Sequence, residues 1–304
     1  MSTAANDIAA TCAACGYDGN DGGGLKTCTA CKLVKYCNAT CQIAHRPKHK
    51  KECKKRAAEL KEEALFTQTT PREECDVCML PLALDPKKIK YQGCCGKSLC
   101  LGCIVSAYMA DNRHRLLCPF CRTPEYTSGG EQLERINKRI EAGDARSMYE
   151  LGCNYHFGEN GFPQDPEKAM ELWLRAAELG CPKSQNKIGY AYWKGEGVGI
   201  DLKKANHHLE LAAIGGDVPA RHNLGGMEMD SGNMKRAMKH WMISAGDGHD
   251  NSLEGIRNCF MIEIASKDDF EKALRAHKEA KDEVKSDQRE AASVALRDGV
   301  MAQL

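Results

Sequence analysis

Fifteen of the chain's 18 cysteines precede residue 122, and most come in pairs two residues apart: Cys12/Cys15, Cys28/Cys31, Cys75/Cys78, Cys100/Cys103 and Cys118/Cys121. Each CxxC turn offers two thiolates to a single tetrahedral ion. Disulfides would require an oxidising compartment. The first 30 residues hold no basic-then-apolar signal pattern, and no apolar run reaches the ~18 residues of a membrane span. The expectation is therefore a soluble protein of the cytoplasm and/or nucleus whose paired thiols hold zinc. Cys153, Cys181 and Cys259 stand alone and read as core filler. A net charge of +1 over 304 residues gives no global field toward nucleic acid or membrane.

The first constellation comprises Cys12, Cys15, Cys28, Cys31, Cys37, Cys41, His49 and Cys53. Cys37 with Cys41, and His49 with Cys53, are four apart, so each pair shares one helix face and can chelate. Eight ligands make two closed sites with no position left for a reactive water, so they are structural. The segment is short and glycine-rich from Gly19 to Gly24, and cannot bury enough apolar surface alone. Bound zinc must supply the folding energy, on the order of 10–16 kcal/mol per site.

With Tyr36 and Gln42 in KYCNATCQ, these residues closely resemble the MYND zinc finger. The resemblance implies a cross-brace: Cys12, Cys15, Cys37 and Cys41 on one ion, Cys28, Cys31, His49 and Cys53 on the other, with His45 left out. It also implies a groove for proline-containing peptides. Arg46 stands where the family often has the groove's tryptophan, so the scaffold carries over but the peptide preference does not. The basic run RPKHKKECKKR reads as a solvated helix face around a metal ligand rather than a nuclear-import or phosphate-binding signal.

The second constellation starts after the helical stretch AAELKEEAL and a Thr-Thr-Pro break. It runs Cys75, Cys78, Cys94, Cys95, Cys100, Cys103, Cys118 and Cys121. Three CxxC pairs and two further ligands again make two ions. The order, and above all CPFCR, resembles the RING finger. That family's cross-brace would put Cys75, Cys78, Cys100 and Cys103 on one ion. Cys118, Cys121 and two ligands from QGCCGK would take the other.

A histidine usually completes that second RING site, but here Lys97 occupies its place, and an ammonium has no lone pair for a metal. Cys95 keeps the family distance to Cys100. Cys94, relieved by Gly93 and Gly96, or His114, four residues before Cys118, could supply the fourth ligand. The RING resemblance further implies contacts to a ubiquitin-conjugating enzyme through Val77 and Pro119, and to ubiquitin through Arg122, with no catalytic nucleophile in the chain itself.

Beyond residue 143 a repeat appears. Leu151-Gly152, Ile188-Gly189 and Leu224-Gly225 recur 37 and 36 residues apart. A second column holds Ala169, Ala205, Ala237 and Ala273. Four residues later come Trp173, Leu209, Trp241 and His277, and small pairs follow the first three. Asp165, Asp201, Asn233 and Asp269 each precede their alanine by four and are placed to be N-caps, with Pro166 at a first helical position. Helix, loop, capped helix is the unit, and it resembles the Sel-1-like relative of the tetratricopeptide repeat. GEGVGID at 195–201 recurs as GENGFPQD, so it is an interhelix loop rather than a phosphate loop. His207-His208 reads as surface.

The expected architecture is thus two small zinc-stabilised cross-brace modules, MYND-like and RING-like, followed by an all-α solenoid of Sel-1-like hairpins. Its parts are a MYND-type finger at 12–53, a helical linker at 54–74, a RING-type finger at 75–122 and a linker helix at 123–143. Repeats at 144–281 (three plus a degenerate cap) and a helical C-terminal tail at 282–304 complete it. Four zinc ions per chain are expected. Repeats and MYND groove would bind protein partners, and the RING-like module a conjugating enzyme; a non-catalytic scaffold is the alternative. Neither membrane nor nucleic acid is an expected partner.

Overall fold

The computed structural model divides into two compact units, Met1–Thr67 and Gln68–Leu304. The described residues are 11–19, 24–67, 72–111, 116–126 and 128–298.

In the first unit, β1 (Lys26–Thr27) and β2 (Lys35–Tyr36) form an antiparallel ribbon with Lys26 opposite Tyr36. Helix α1 (Ala39–Phe66) follows, capped by Asn38, whose side chain accepts from the Cys41 amide at 2.9 Å. Of the 28 residues of α1 only His49 and Leu65 are buried, so no apolar face holds this helix. The buried residues of the unit's small cluster are Cys12, Cys28, Cys31 and Tyr36. Past the ligands the helix runs on as an A/E/K/L stretch with good intrinsic propensity, helped by Arg56 pairing with Glu59 and Glu63. The linker stretch is therefore a continuation of the ligand-bearing helix; the Thr-Thr-Pro break lies outside the described residues.

The second unit opens with a hairpin, β3 (Ile89–Gln92) and β4 (Lys97–Cys100), in which Gln92 faces Lys97. Helix α2 (Leu101–Ala110) leaves β4 directly. Helix α3 (Gly129–Glu141) then brings Ile136 into the core of the first repeat, beside Leu151 and Trp173. Four antiparallel helix pairs follow: α4 (Ala145–Phe157) with α5 (Pro166–Glu178), α6 (Pro182–Lys194) with α7 (Leu202–Ile214), α8 (Val218–Asp230) with α9 (Met234–Gly246), and α10 (Asp250–Met261) with α11 (Lys267–Glu283). Helix α12 (Asp287–Arg297) ends the described chain.

The repeat columns have a direct steric meaning. A Cβ on Gly152 would lie 2.5 Å from the Trp173 indole nitrogen, and one on Gly189 would lie 2.7 Å from Leu209. Gly225 receives Trp241 in the same way. Trp173 donates its indole N–H to the Tyr149 carbonyl at 3.3 Å, and Trp241 to that of His222 at 3.2 Å. The glycine thus admits the large residue of the partner helix, and the carbonyl three residues earlier satisfies its one polar atom.

Two cap expectations need correction. Asp165 and Asp201 cap α5 and α7 as read. Asn233 sits at the N-cap of α9 but turns its amide to Glu228, at 2.9 Å. Helix α11 starts two residues before Asp269: Ser266 is the cap, and Asp269 at N3 closes a capping box. With Ser and Asp three apart, the serine hydroxyl accepts from the Asp269 amide and the Asp269 carboxylate from the Ser266 amide, so both side chains satisfy backbone donors at once. In the fourth pair His277 leaves the packing column for a hydrogen bond with Asp250 at 2.9 Å, while Phe260 and Phe270 stack with centroids 5.2 Å apart.

Candidate metal centres

Four CxxC segments fold into the same knuckle. The amides of Gly16, Lys32, Met79 and Arg122 each donate to the carbonyl of the first cysteine of their pair, at 2.9, 3.0, 2.8 and 2.9 Å. Each of those residues directly follows the second cysteine and has a positive φ, between 55° and 78°. Only Gly16 takes that conformation without steric cost; Lys32, Met79 and Arg122 hold it because the ligand geometry over-determines it.

These knuckles assemble four tetrads: Cys12, Cys15, Cys37 and Cys41; Cys28, Cys31, His49 and Cys53; Cys75, Cys78, Cys100 and Cys103; Cys94, Cys95, Cys118 and Cys121. Within each, the ligand atoms lie within 4.8 Å of one another. Sulfur–sulfur spacings are 3.7 Å for Cys15–Cys37, 3.8 Å for Cys28–Cys53, 3.8 Å for Cys78–Cys100 and 3.8 Å for Cys95–Cys118. A zinc–sulfur bond of about 2.3 Å at tetrahedral angles sets that edge at about 3.8 Å, so the donor sets fit zinc. All four positions are filled by protein, which makes the centres structural.

The mutual influence of the thiols also favours a cation over four bare thiolates. The hydrogen bond from Cys100, aided by backbone amides, pulls Cys75 down to about 4, while proximity to Cys75 and burial push Cys100 far up. In the first tetrad the Cys37 and Cys15 neighbours raise Cys41 to about 12. Four thiolates this close ionise together only around a divalent ion.

Around the ligands, His45 stays out of the second tetrad: its Nδ1 meets the Tyr36 hydroxyl at 3.1 Å and its ring stacks on the ligand His49 at 5.6 Å. The Cys100 sulfur serves as the N-cap acceptor of α2, taking the Cys103 amide at 3.5 Å.

The crowded stretch QGCCGK is explained by the hairpin. The Gly96 amide donates to the Gln92 carbonyl at 2.7 Å, the knuckle bond with Gln92 standing where a first cysteine would. Cys95 thus holds the second knuckle position, and Cys94 reaches the same centre from inside the turn, 3.4 Å from Cys121. Gly96, at φ +73°, has the Arg139 guanidinium where a Cβ would be. The alternative ligand, His114, lies outside the described residues.

Lys97 is displaced from the ligand role into a bridge. Its ammonium pairs with Asp76 at 2.8 Å and lies 5.4 Å from the centroid of the Phe120 ring. Asp76 sits inside the first CxxC and Phe120 inside the last, so one lysine joins two knuckles on different centres. In the same two knuckles Val77 is 43% exposed, Met79 64% and Phe120 48%, and Arg122 is exposed as well. The RING resemblance points to Val77, Pro119 and Arg122, and not to Met79, Phe120 or the Lys97–Asp76 pair. The signal it lacked was contact across the two loops. Among the described residues His207 and His208 belong to no metal-holding group; His208 bonds Gln185 at 2.6 Å.

The MYND finger family matches residues 12–53, and the Sel1 repeat family matches 145–181 and 182–217. Among curated proteins, the ERAD-associated E3 ubiquitin-protein ligase component HRD3B of Arabidopsis thaliana is 31% identical over 111 residues, 36% of this chain and 17% of that protein. HRD3A of the same plant is 33% identical over 67 residues, 22% of this chain and 10% of that protein. The match therefore spans under a fifth of either relative. Among solved structures, a Sel1 repeat protein from Oxalobacter formigenes aligns with TM-score 0.44 and 24% identity over 50% of this chain and 64% of its own. The c5321 antigen of uropathogenic Escherichia coli, which has an SLR fold, aligns with TM-score 0.44 and 20% identity over 66% of this chain and 41% of its own.

Sel1 repeats are protein-interaction modules, and a zinc finger joined to them supports a protein-interaction adaptor. Residues 12–53 are a MYND finger and residues 145–217 two Sel1 repeats, carried on one chain with a further pair of cysteine tetrads between them.

Proposed function

We propose that this adaptor is a RING-type ubiquitin ligase, with the knuckles at 75–78 and 118–121 docking a ubiquitin-conjugating enzyme and the repeats and MYND finger holding substrates. The observation that carries this reading is the exposed apolar surface that Val77 and Met79 offer at the first knuckle and Phe120 at the last, with Lys97 pairing with Asp76 and lying over the Phe120 ring. Such a surface needs no nucleophile. It restrains the thioester of the conjugating enzyme so that a substrate amine attacks in line, a gain of orientation rather than of new bonds. Arg122 would clamp ubiquitin. The likeness to a plant protein named as a ubiquitin ligase component supports the same direction. In this reading the chain works in the cytoplasm or nucleus.

Zinc-loaded protein with activating enzyme, conjugating enzymes, ubiquitin and ATP is expected to build ubiquitin chains. Val77→Arg should lower the rate at least tenfold, and Arg122→Ala should lower it too, both at unchanged zinc content. No chains with a broad panel of conjugating enzymes would retire the ligase reading.

A non-catalytic scaffold is the second reading, favoured by the Asp76–Lys97 ion pair, which puts charge at the rim of the apolar set. It predicts that Val77→Arg leaves partner recovery in a pull-down unchanged and that the wild type makes no chains.

A further inference from the structure

Helix α12, the last among the described residues, reaches the centre of Cys75, Cys78, Cys100 and Cys103. Arg289 of α12 donates from Nη1 to the carbonyls of Pro81 at 2.7 Å and Val284 at 2.8 Å. From Nη2 it donates to the Leu80 carbonyl at 3.2 Å and to the sulfur of the metal ligand Cys78 at 3.5 Å. Four acceptors converge on one guanidinium, three of them within Cys78–Pro81, which also contains Met79 with its strained φ of 58°.

The approach is built from both sides. Gly102, between ligands Cys100 and Cys103, faces α12 so closely that a Cβ there would lie 2.8 Å from Cγ and 3.1 Å from Cα of Arg289. One turn on, Ala292 is buried against Val105, with Tyr108, Ala295 and Leu296 around them. Arg72, two residues before the antiparallel bridge Glu74–Pro81, donates to the Ala280 carbonyl at 3.1 Å and pairs with Glu283.

We infer that Arg289 is a positioning residue for the centre of Cys75, Cys78, Cys100 and Cys103, and that this centre is incomplete without the C-terminal helix. An N–H donated to a ligand sulfur draws charge from it and fixes its lone pair. The two knuckle carbonyls, held by the same planar group, fix the turn that presents it. Lysine carries a compact ammonium without that fork and cannot serve four acceptors at once. The inference concerns metal retention and stands whether or not the chain is a ligase.

The test uses the full zinc-loaded chain, challenged with a chelator while cysteines are alkylated and mapped by mass spectrometry. Arg289→Ala and Arg289→Lys should each release one zinc per chain 10- to 100-fold faster than wild type. Labelling should appear first at Cys75, Cys78, Cys100 and Cys103, with Cys28, Cys31 and Cys53 still protected. Arg257→Ala, on an exposed face of α10, should behave as wild type. In cobalt-substituted protein the Arg289→Lys variant should show its sulfur-to-cobalt charge-transfer band at lower energy, because a thiolate without its donor is the stronger electron source. If circular dichroism shows that Arg289→Ala fails to fold, the Arg289→Lys spectrum decides. Wild-type release rates with an unshifted band overturn the proposal, and so does equally accelerated loss from all four centres.

Discussion

At the scale of single residues, the informative positions are those where a side chain sits against its usual preference. Lys97 is one: barred from metal ligation, it joins Asp76 and Phe120. Asp217 is another. It caps α8 by accepting the Ala220 amide at 2.8 Å, yet full burial raises its carboxyl from 3.8 to about 6. The folded chain therefore holds this proton where the unfolded chain has lost it. The stability tied to the neutral form is complete below the unfolded value and disappears as pH rises through about 6. Asp217→Asn keeps a capping oxygen and removes the ionisation, so its melting midpoint should exceed wild type at pH 7.5, by at most about 3 kcal/mol in free energy. The gap should narrow toward pH 5. Equal midpoints at both pH values would show that Asp217 pays no burial penalty.

Among the elements, the repeat pairs hold together through one small-to-large exchange per unit. Gly152 on α4 takes the Trp173 indole of α5, and a methyl there would collide at 2.5 Å. Gly152→Ala should destabilise the repeats by about 1–3 kcal/mol, the usual range for overpacking a close contact. Gly246→Ala is the control, since the nearest atom to its Cβ would be 3.8 Å away; it should be neutral or slightly stabilising through helix propensity. Thermal melts of the two variants read the difference directly, and equal effects would mean that the glycine column does not govern the packing. The caps belong to the same scale. Ser266 with Asp269 shows that two capping residues three apart form a box rather than a choice.

Over the whole molecule, two kinds of cohesion divide the chain. The unit Met1–Thr67 has cysteines where a core would have leucine, so stripping its metal should unfold it. The repeats have their own apolar core around Leu151, Leu172, Trp173 and Ile188. Excess chelator should thus make residues 12–53 protease-sensitive while 145–217 keep their helical signal. Protection of 12–53 without metal would contradict the whole account of that unit. The module with the third and fourth tetrads, residues 75–121, belongs to neither extreme. It has a metal-bound cluster, but Tyr91 also reaches the α4 cap Asp144 at 3.0 Å, and Glu73 pairs with Arg146 and Lys183 at 3.1 and 2.7 Å. With Arg289 at its other side, the helix read as a tail becomes part of the metal module.

The ligand inventory, the two-residue and four-residue pairings and the glycine and alanine columns were all legible in the chain alone, because each reports contacts within a turn or two, or a period that repeats. Asp165 and Asp201 as caps belong to the same class, since a cap acts on amides only two or three residues away. Cys94 as the partner of Cys95 required the hairpin, in which Gln92 and Gly96 form the knuckle that the cysteine spacing disguises. The docking of Arg289 on Cys78 joins residues some two hundred positions apart. No local pattern encodes such a contact. Only the path of the repeats, which carries α12 back onto α2, brings the two together.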